Sequence, residues 1–277
     1  MPLSLIIPAS NEAHHIGPCL EGVLAQTGPE ALQVIVAANG CTDDTADRAR
    51  AFAPRIEARG WTLTVLDIAQ GGKIRALNAA CAVAEHRAQA FLDADIVMEP
   101  PLLAQVMEAL DTDAPRYATG RLRIARAKSR VSRLYGRTWE RLPFMRTGTA
   151  PGAGFFAVNE AGRARWDTFP DIIADDGYVR WLFAPDERIE VAAGYQWPLV
   201  EGFRALVRVR ARQDAGGRQL LALYPELLAN EDKDPVTIRH QIDLARRGPV
   251  SFATYLAVKL AVRLRGRKVA GWDRGHR

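Results

Sequence analysis

Short apolar runs alternate with helical patterns through the first hundred residues, and this alternation restricts the fold more than any other feature. The four runs cover residues 3–9, 34–38, 63–66 and 90–92, and helical patterns separate them. Uninterrupted apolar strands between helices are typical of a parallel sheet that is covered on both faces. We therefore predict an α/β fold in which a mostly parallel, Rossmann-like sheet is flanked by helices.

Beyond residue 100 the pattern is less regular. Residues 101–110, 175–183 and 201–213 have helical patterns, and residues 150–158 are typical of a glycine-containing loop that enters a strand. The basic segment 121–141 is predicted to be helical or irregular.

Composition excludes several classes of protein. Hydrophobic residues make up 48% of the 277 residues, which rules out intrinsic disorder, and no apolar stretch approaches the ~20 residues of a membrane span. The three cysteines are widely spaced and no signal peptide is present, so we expect a reducing, cytoplasmic compartment. The net charge of +5 favours anionic partners only weakly. Because no nucleic-acid-binding motif is visible, we expect no nucleic acid partner.

Polar residues follow the predicted strands at the points where they end. Asn11, Asn39, Lys73, Asp93 and Asp95 each lie just beyond an apolar run. In a parallel sheet, ligands bind at the carboxyl ends of the strands, so these side chains should converge on one edge. Neither GxGxxG nor GxxxxGK[ST] occurs, which argues against a standard dinucleotide fold or a P-loop.

The segment Asp93-Ala94-Asp95 is the clearest candidate metal site. In an extended chain, residues two apart point the same way, so both carboxylates would face one cation. Mg²⁺ or Mn²⁺ needs few protein carboxylates when substrate phosphates supply its other ligands. The alternative is a solvated turn. Gly71-Gly72-Lys73 before a helix is a candidate phosphate cradle, and its alternative is a simple turn with a surface lysine.

Taken together, the motifs resemble those of family 2 glycosyltransferases, which have the GT-A fold. The matching segments occur in the family's order over roughly residues 1–215. They are Leu5-Ile6-Ile7-Pro8-Ala9-Ser10-Asn11-Glu12, Asn39-Gly40-Cys41-Thr42-Asp43-Asp44-Thr45, Gly72-Lys73-Ile74-Arg75-Ala76-Leu77-Asn78, Asp93-Ala94-Asp95 and Asp175-Asp176. Processive polysaccharide synthases carry QxxRW, whereas Val209-Arg210-Ala211-Arg212-Gln213 keeps only the arginine.

The resemblance implies roles for individual residues. It places Asp93 and Asp95 at the ribose and the metal, and it makes Asp176 the catalytic base, with Asp175 as the reserve. Asn39 stands where the family reads the nucleotide base. The residues implied to bind the nucleotide sugar are Pro8, Ala9, Glu12, Asn39, Lys73, Asp93, Gly152 and Gly154. Arg208 and Arg212, four apart on a predicted helix, would pair with diphosphate oxygens or form a solvated basic face.

We therefore predict an inverting, metal-dependent and non-processive glycosyltransferase. Its donor is a nucleotide sugar, with a uridine diphosphate type favoured, and its acceptor is a hydroxyl of a glycan, a lipid or a small molecule. Residues 1–100 would form the nucleotide-sugar-binding half, residues 101–220 the acceptor half with the base, and residues 221–277 a C-terminal helical extension. Two alternatives are a sugar nucleotidyltransferase and a non-catalytic nucleotide-sugar-binding subunit.

The C-terminal extension combines apolar and basic residues. A helix is predicted over residues 250–264, followed by clustered cations and Trp272. This composition fits peripheral contact with anionic lipid on the cytoplasmic face, through residues 250–272. The alternatives are a helix packed on the domain, or packed on a second subunit in a homodimer.

Overall fold

The computed structural model describes residues 1–146 and 150–265. Within these residues the chain forms eight strands and twelve α-helices. The strands are β1 (Leu3–Ala9), β2 (Leu32–Asn39), β3 (Thr62–Ile68), β4 (Gln89–Leu92), β5 (Val97–Met98), β6 (Tyr117–Ile124), β7 (Phe155–Val158) and β8 (Arg188–Trp197). The helices are α1 (Ile16–Leu24), α2 (Thr45–Arg50), α3 (Ala53–Glu57), α4 (Lys73–Ala82), α5 (Leu102–Leu110), α6 (Arg130–Trp139), α7 (Pro143–Arg146), α8 (Glu160–Arg163), α9 (Asp175–Trp181), α10 (Phe203–Leu223), α11 (Ile238–Arg247) and α12 (Pro249–Leu264).

All eight strands belong to one sheet, in the order β3-β2-β1-β4-β7-β6-β8-β5. The first four run parallel, as predicted from their continuous apolar sequences. β7 is antiparallel to both β4 and β6, β8 runs parallel to β6, and the short β5 closes the far edge antiparallel to β8. The predicted α/β fold is confirmed. The division at residue 100 stays a prediction, and strands from both sides of it share this sheet.

The first strands are mainly apolar because helices cover both faces of the sheet. Leu5 and Val34 pack into one hydrophobic core, whereas Ile6 and Ile35 pack into the core on the other face. Side chains alternate between faces along a strand, so every position of these strands meets a core. This burial holds the carboxyl ends of β1, β2 and β4 in fixed relative positions. The positions of the polar residues that follow these strands are therefore fixed as well.

Several predictions beyond residue 100 need correction. Residues 117–124 are strand β6 rather than a helix or an irregular segment, and Arg121 and Arg123 lie on its outer face around the buried Leu122. Because these outward-facing residues are charged, the two-residue alternation of a β-strand was not recognised in the sequence. The predicted helix 201–213 extends to Leu223 despite Gly216. A Cβ at Gly216 would lie 3.0 Å from Ile173 Cγ2, so this glycine allows α10 to pack closely against the segment before α9.

The C-terminal helices pack on the sheet domain and also leave apolar side chains exposed. α12 contacts α6 and α10, and the Tyr255 ring lies 5.6 Å from that of Tyr135. Val250, Leu260 and Leu264 remain 64%, 58% and 79% exposed. In the part of the chain that the structure describes, no helix has the length and hydropathy needed to cross a bilayer. Of the predicted basic cluster, Lys259, Arg263 and Arg265 lie within the described residues, whereas Arg267, Lys268 and Trp272 lie outside them.

Candidate active site

Asn39 holds together three of the chain segments that meet at the carboxyl edge of the sheet. Its side chain is buried, and its Nδ2 donates to the carbonyls of Ala9 (2.8 Å) and Ala37 (3.2 Å). Its Oδ1 accepts from the backbone N–H of Gly72 at 2.9 Å. The predicted base-reading side chain is therefore engaged with the backbone, and in this structure it fixes the ends of β1 and β2 against the start of α4.

The loop after β1 is held by a second set of hydrogen bonds. Asn11 has a positive φ of 53°, and its Oδ1 accepts from the backbone N–H of Thr42 at 2.7 Å. The N–H of Glu12 donates to Thr45 Oγ1, and the Glu12 carboxylate lies 2.9 Å from His15 Nδ1. Pro8 lines a small recess beside Lys73. The loop after β1 is thereby fixed to the loop after β2.

Lys73 connects the first half of the sheet to the predicted catalytic acids. Its Nζ lies 2.9 Å from Asp93 Oδ1 and 3.0 Å from Asp175 Oδ2. Burial acts against the charge on Lys73, but the carboxylates of Asp175 and Asp93 outweigh it and raise the pKa of the ammonium. The sequence prediction that Lys73, Asp93 and the acidic pair converge is thus confirmed by the geometry.

Asp175 is the more buried member of the acidic pair. Only 8% of its side chain is exposed. Burial raises the pKa of its carboxyl to about 6, and Asp176 and Asp93 act in the same direction while Lys73 opposes them. Asp176 is half-buried, and its Oδ1 accepts from the N–H of Gly177 at 2.7 Å. Both acids stand in the first turn of α9, where the helix dipole stabilises negative charge.

Asp93-Ala94-Asp95 forms a turn, not the predicted extended segment. The N–H of Ile96 donates to the Asp93 carbonyl at 3.0 Å, and the Asp93 N–H donates to the Gly154 carbonyl at 2.8 Å. The two-residue alternation that was expected to aim both carboxylates alike therefore does not apply. Because the Lys73 ammonium contacts Asp93, Asp95 is the better candidate for a cation ligand.

The carboxylates present fit a hard divalent cation that takes most of its ligands from a substrate. Within residues 1–146 and 150–265, no group of three or more His, Cys, Asp or Glu side chains could hold a metal by itself. Mg²⁺-type sites that use one or two carboxylates together with substrate phosphates need no such group. Asp95, which is half-buried and lies two residues after Asp93 in the chain, supplies oxygen donors of the appropriate kind.

The glycine loop that leads into β7 closes over this edge. Gly152 and Gly154 have positive φ values of 63° and 80°. A Cβ at Gly152 would lie 1.6 Å from the Tyr117 hydroxyl oxygen, and one at Gly154 would lie 2.9 Å from Ile96. Both positions therefore require glycine, for conformation and for space.

A cavity of about 420 Å³ extends from the acids along helix α10. Lys73, Asp93 and the two α9 acids line one end of it. Of the two predicted arginines, Arg212 lines the same cavity, whereas Arg208 lines a groove between α10 and α12. The other lining residues that bear on function are Tyr135, Trp139, Gly154, Trp181, Trp197, Leu206, Val209, Arg210, Gln213, Asp214, Glu231 and Lys233.

A buried arginine anchors the charged connector beside this cavity. Arg180, at the C-terminal end of α9, is fully buried, and its guanidinium contacts Glu231 Oε1 at 2.9 Å and also Asp232. Asp232 also pairs with Arg188 at 3.1 Å, and Trp181 Nε1 donates to Glu231 at 3.0 Å. These contacts place Glu231 and Lys233 in the cavity wall.

Sequence reasoning missed that wall. Trp197 stacks on Trp139 with ring centroids 5.2 Å apart, and Trp197 was not singled out as a site residue. The residues after Tyr224 were predicted only as part of the C-terminal helical extension, with no site residue among them. Their one sequence signal is the run Glu231-Asp232-Lys233-Asp234, whose buried arginine partners lie more than 40 residues away.

Comparison with known proteins identifies the family. The model of glycosyl transferase family 2 matches residues 4–158, which is more than half of the chain. The chain belongs to glycosyl transferase family 2. Glycosyltransferase YibD of Escherichia coli, itself uncharacterized, is 29% identical over 169 residues, covering 59% of this chain and 45% of that protein. The chain spans less than half the length of the curated relatives that it matches.

Solved structures of glycosyltransferases share the fold. Mannosyltransferase PcManGT of Pyrobaculum calidifontis, in complex with GDP-Man and Mn²⁺, superposes with a TM-score of 0.61 at 20% identity, over 95% of this chain and 75% of that chain. Glucosyl-3-phosphoglycerate synthase of Mycobacterium tuberculosis, in complex with Mn²⁺, UDP and glucosyl-3-phosphoglycerate, does so with a TM-score of 0.54 at 18% identity, over 80% and 79%. The predicted GT-A fold is confirmed.

Proposed function

We propose that this glycosyltransferase moves a sugar from a nucleotide-sugar donor to an acceptor hydroxyl, with inversion and without processive elongation. The observation that carries the proposal is the contact of Lys73 with both Asp93 and Asp175, in a cavity that Asp176 also lines. This contact joins the end of β4, where Asp93 lies, to the first turn of α9, which carries the proposed base Asp176. A uridine diphosphate donor is favoured, in keeping with the UDP bound in the mycobacterial neighbour.

The donor end of the cavity is built from the ends of β1, β2 and β4. We assign Pro8, Ala9, Glu12 and Lys73 to the nucleotide and its phosphates, with Asn39 acting through the backbone groups that it fixes. Gly152 and Gly154 would let the loop backbone approach the donor sugar, because neither position can hold a side chain. Of the predicted arginine pair, Arg212 is the one that lines the cavity.

A divalent cation, Mn²⁺ or Mg²⁺, is the proposed cofactor. Asp95 would hold it, with Asp93 next to it and partly neutralised by Lys73. When bound, the cation offsets the negative charge that develops on the departing diphosphate. Lys73 adds a fixed positive charge on the same side of the site, because its raised pKa keeps it protonated.

The reaction is a direct displacement at the anomeric carbon. The acceptor oxygen forms a bond to that carbon as the bond to the diphosphate oxygen breaks, and the nucleoside diphosphate departs with the bonding electrons. Asp176 takes the proton of the acceptor hydroxyl, as a general base. Asp176 is preferred to Asp175 because Asp175 is buried in its contact with Lys73.

The test is Asp176→Asn. Removing a general base should lower kcat by about 10²–10⁴-fold while binding of UDP, measured by calorimetry, stays the same. Asp171→Asn is the matched control, because Asp171 is exposed and lies five residues before the base on the same segment. Near-normal turnover in Asp176→Asn would assign the base elsewhere, and loss of UDP binding would assign Asp176 to the donor.

We also propose that α12 contacts anionic membrane lipid. Leu260 and Leu264 are exposed on this helix, and Lys259 and Arg263 lie beside them in sequence. Apolar side chains next to cations are the composition of helices that lie in a membrane interface. Leu260→Glu combined with Leu264→Glu should abolish cosedimentation with phosphatidylglycerol vesicles, whereas Leu223→Glu, at an exposed leucine of α10, should not. Unchanged cosedimentation of the double variant would refute the contact.

A further inference from the structure

The wall that α10 contributes to the active-site cavity changes polarity along its length. Leu206 and Val209 line it near the N-terminal end of the helix, Arg210, Gln213 and Asp214 follow, and Gly217 and Leu220 line it near the C-terminal end. At a rise of 1.5 Å per residue, the line from Leu206 to Gly217 is about 16 Å long. The helix therefore presents an apolar section, a polar section and a small-residue section in sequence.

The small-residue section lies beside the catalytic acids. A Cβ at Gly216 would lie 3.2 Å from Ala174 Cβ, and one at Gly177 would lie 3.4 Å from Leu220 Cδ2. Ala174 and Gly177 bracket Asp175 and Asp176 in the chain. The C-terminal half of α10 is thus packed against the residues that carry the chemistry.

Aromatic rings add to the apolar part of the cavity lining. Trp139 and Trp197 stack with an interplanar angle of 14°, and both line the cavity. Further apolar lining residues are Leu122, Phe144, Leu199 and Val200. A purely polar acceptor would bury hydroxyls here without hydrogen-bond partners, which is unfavourable, whereas an alkyl or aromatic group would gain from leaving water.

The polar middle section offers both hydrogen-bond donors and acceptors. Arg210 pairs with Asp214 at 3.0 Å on the same helix, and Arg212 also lines the cavity there. Gln213 adds an amide that both donates and accepts. Hydroxyl groups, which also donate and accept, match these side chains.

We infer that the acceptor is amphipathic, with a hydroxyl-bearing head beside Asp176 and an alkyl or aromatic tail against Trp139, Leu206 and Val209. This inference rests on the proposed function, because it takes the cavity as the place of transfer. It narrows the acceptor from any glycan, lipid or small molecule to a hydroxyl on an apolar carrier. The carrier is either a soluble apolar compound or a membrane lipid.

The experiment compares two probes that share a head and differ in their tail. Calorimetry in the presence of saturating UDP measures binding of n-octyl β-D-glucoside, kept below its micellar concentration, and of methyl β-D-glucoside. The octyl compound should bind at least tenfold more tightly. Equal affinity of the two probes would overturn the inference, and so would the absence of binding of either probe together with the absence of binding of a vesicle-embedded dodecyl glucoside.

A filling variant locates the tail. Val209→Phe should remove most of the octyl advantage, because it occupies the apolar end, whereas Leu221→Phe, at an exposed position of the same helix, should keep it. Thermal unfolding and UDP binding of both variants verify that the fold and the donor site are intact. Undiminished octyl binding in a folded Val209→Phe protein would refute the assignment.

Two further measurements distinguish a soluble acceptor from a membrane-borne one, and the acceptor inference from the proposed function. Binding of the octyl compound from solution supports a soluble carrier, and binding of a dodecyl glucoside only when it is embedded in phosphatidylcholine vesicles supports a membrane-borne one; both support an apolar tail. UDP binding and donor turnover are measured separately. Their absence would refute the proposed function, whereas their presence without an octyl preference would refute the acceptor inference alone.

Discussion

Removal of the Arg180 side chain tests how the charged connector is held against the active site. In Arg180→Met an apolar chain of similar length replaces a guanidinium that is fully buried. The change breaks the contacts to Glu231 and Asp232 and a 3.3 Å hydrogen bond to the Ala150 carbonyl. Two carboxylates therefore lose their shared cation, while the methionine keeps most of the packing.

The expected loss of unfolding free energy depends on which partners Glu231 and Asp232 keep after Arg180 is removed. Removing one partner of a buried ion pair costs about 3–5 kcal/mol. Asp232 keeps Arg188, Glu231 keeps the Trp181 indole, and their side chains are 31% and 21% exposed, so water can reach both. We therefore expect the lower end, about 3 kcal/mol, or roughly a 6–12 °C lower Tm for a chain of this size.

Urea unfolding followed by tryptophan fluorescence measures this cost. The control is Arg247→Met, which breaks an exposed pair with Asp243 and should cost less than about 1 kcal/mol.

Glu231 adds a pH test: burial alone would raise its pKa, but Lys233 and Arg180 outweigh burial and lower it to about 2. The pair's stabilisation is thus complete above the unfolded pKa of about 4.5 and is lost as the pH falls towards 2. A cost below about 1 kcal/mol for Arg180→Met would refute this reasoning.

Three further predictions concern the site itself. The pKa of Asp175 is higher in the folded than in the unfolded protein, so its ionisation opposes folding between about pH 4 and 6. In urea unfolding, Asp175→Asn should therefore gain stability relative to the wild type as the pH rises from 4 to 7. A difference in unfolding free energy that stays constant with pH would contradict this. Gly152→Ala should cost about 1–3 kcal/mol more than Gly60→Ala in urea unfolding, because both have positive φ but only Gly152 meets Tyr117; equal costs would contradict it. Asp95→Ala should weaken Mn²⁺-dependent UDP binding by about tenfold or more in calorimetry, leaving metal-free binding unchanged, and binding indifferent to metal would remove the proposed cation site.

The part of the site at the carboxyl ends of β1 to β4 could be predicted because the sequence patterns that define it are local. Continuous apolar runs define β1 to β4, and the polar residue after each strand lands where a parallel sheet gathers ligands. Lys73 and Asp93 were placed together on that basis alone, and they lie 2.9 Å apart. Register in a buried parallel sheet is strongly specified, so short-range patterns determine this part of the site.

The remaining features depend on contacts that no local pattern encodes. Asp93 and Asp95 lie in a turn because a hydrogen bond from Asp93 to Gly154, 61 residues away, shapes the chain there. Strand β6 escaped prediction because exposed arginines occupy its outer face. Arg208 lines a groove beside α12 and Arg212 lines the cavity, and helical spacing alone does not reveal these different surroundings.

The boundary of the family match divides the site chemically. Asp93 and the ends of β1, β2 and β4 lie within residues 4–158, whereas the proposed base and the whole α10 wall lie beyond that range. The shared part of the chain builds the end of the cavity that we assign to the nucleotide, a ligand common to many members of such a family. The acceptor must be selected elsewhere, and the apolar end at Leu206 and Val209 is part of the chain that the family model leaves unmatched. Substitutions there should therefore change acceptor preference while donor binding stays constant, and the octyl and methyl probes measure that separation directly.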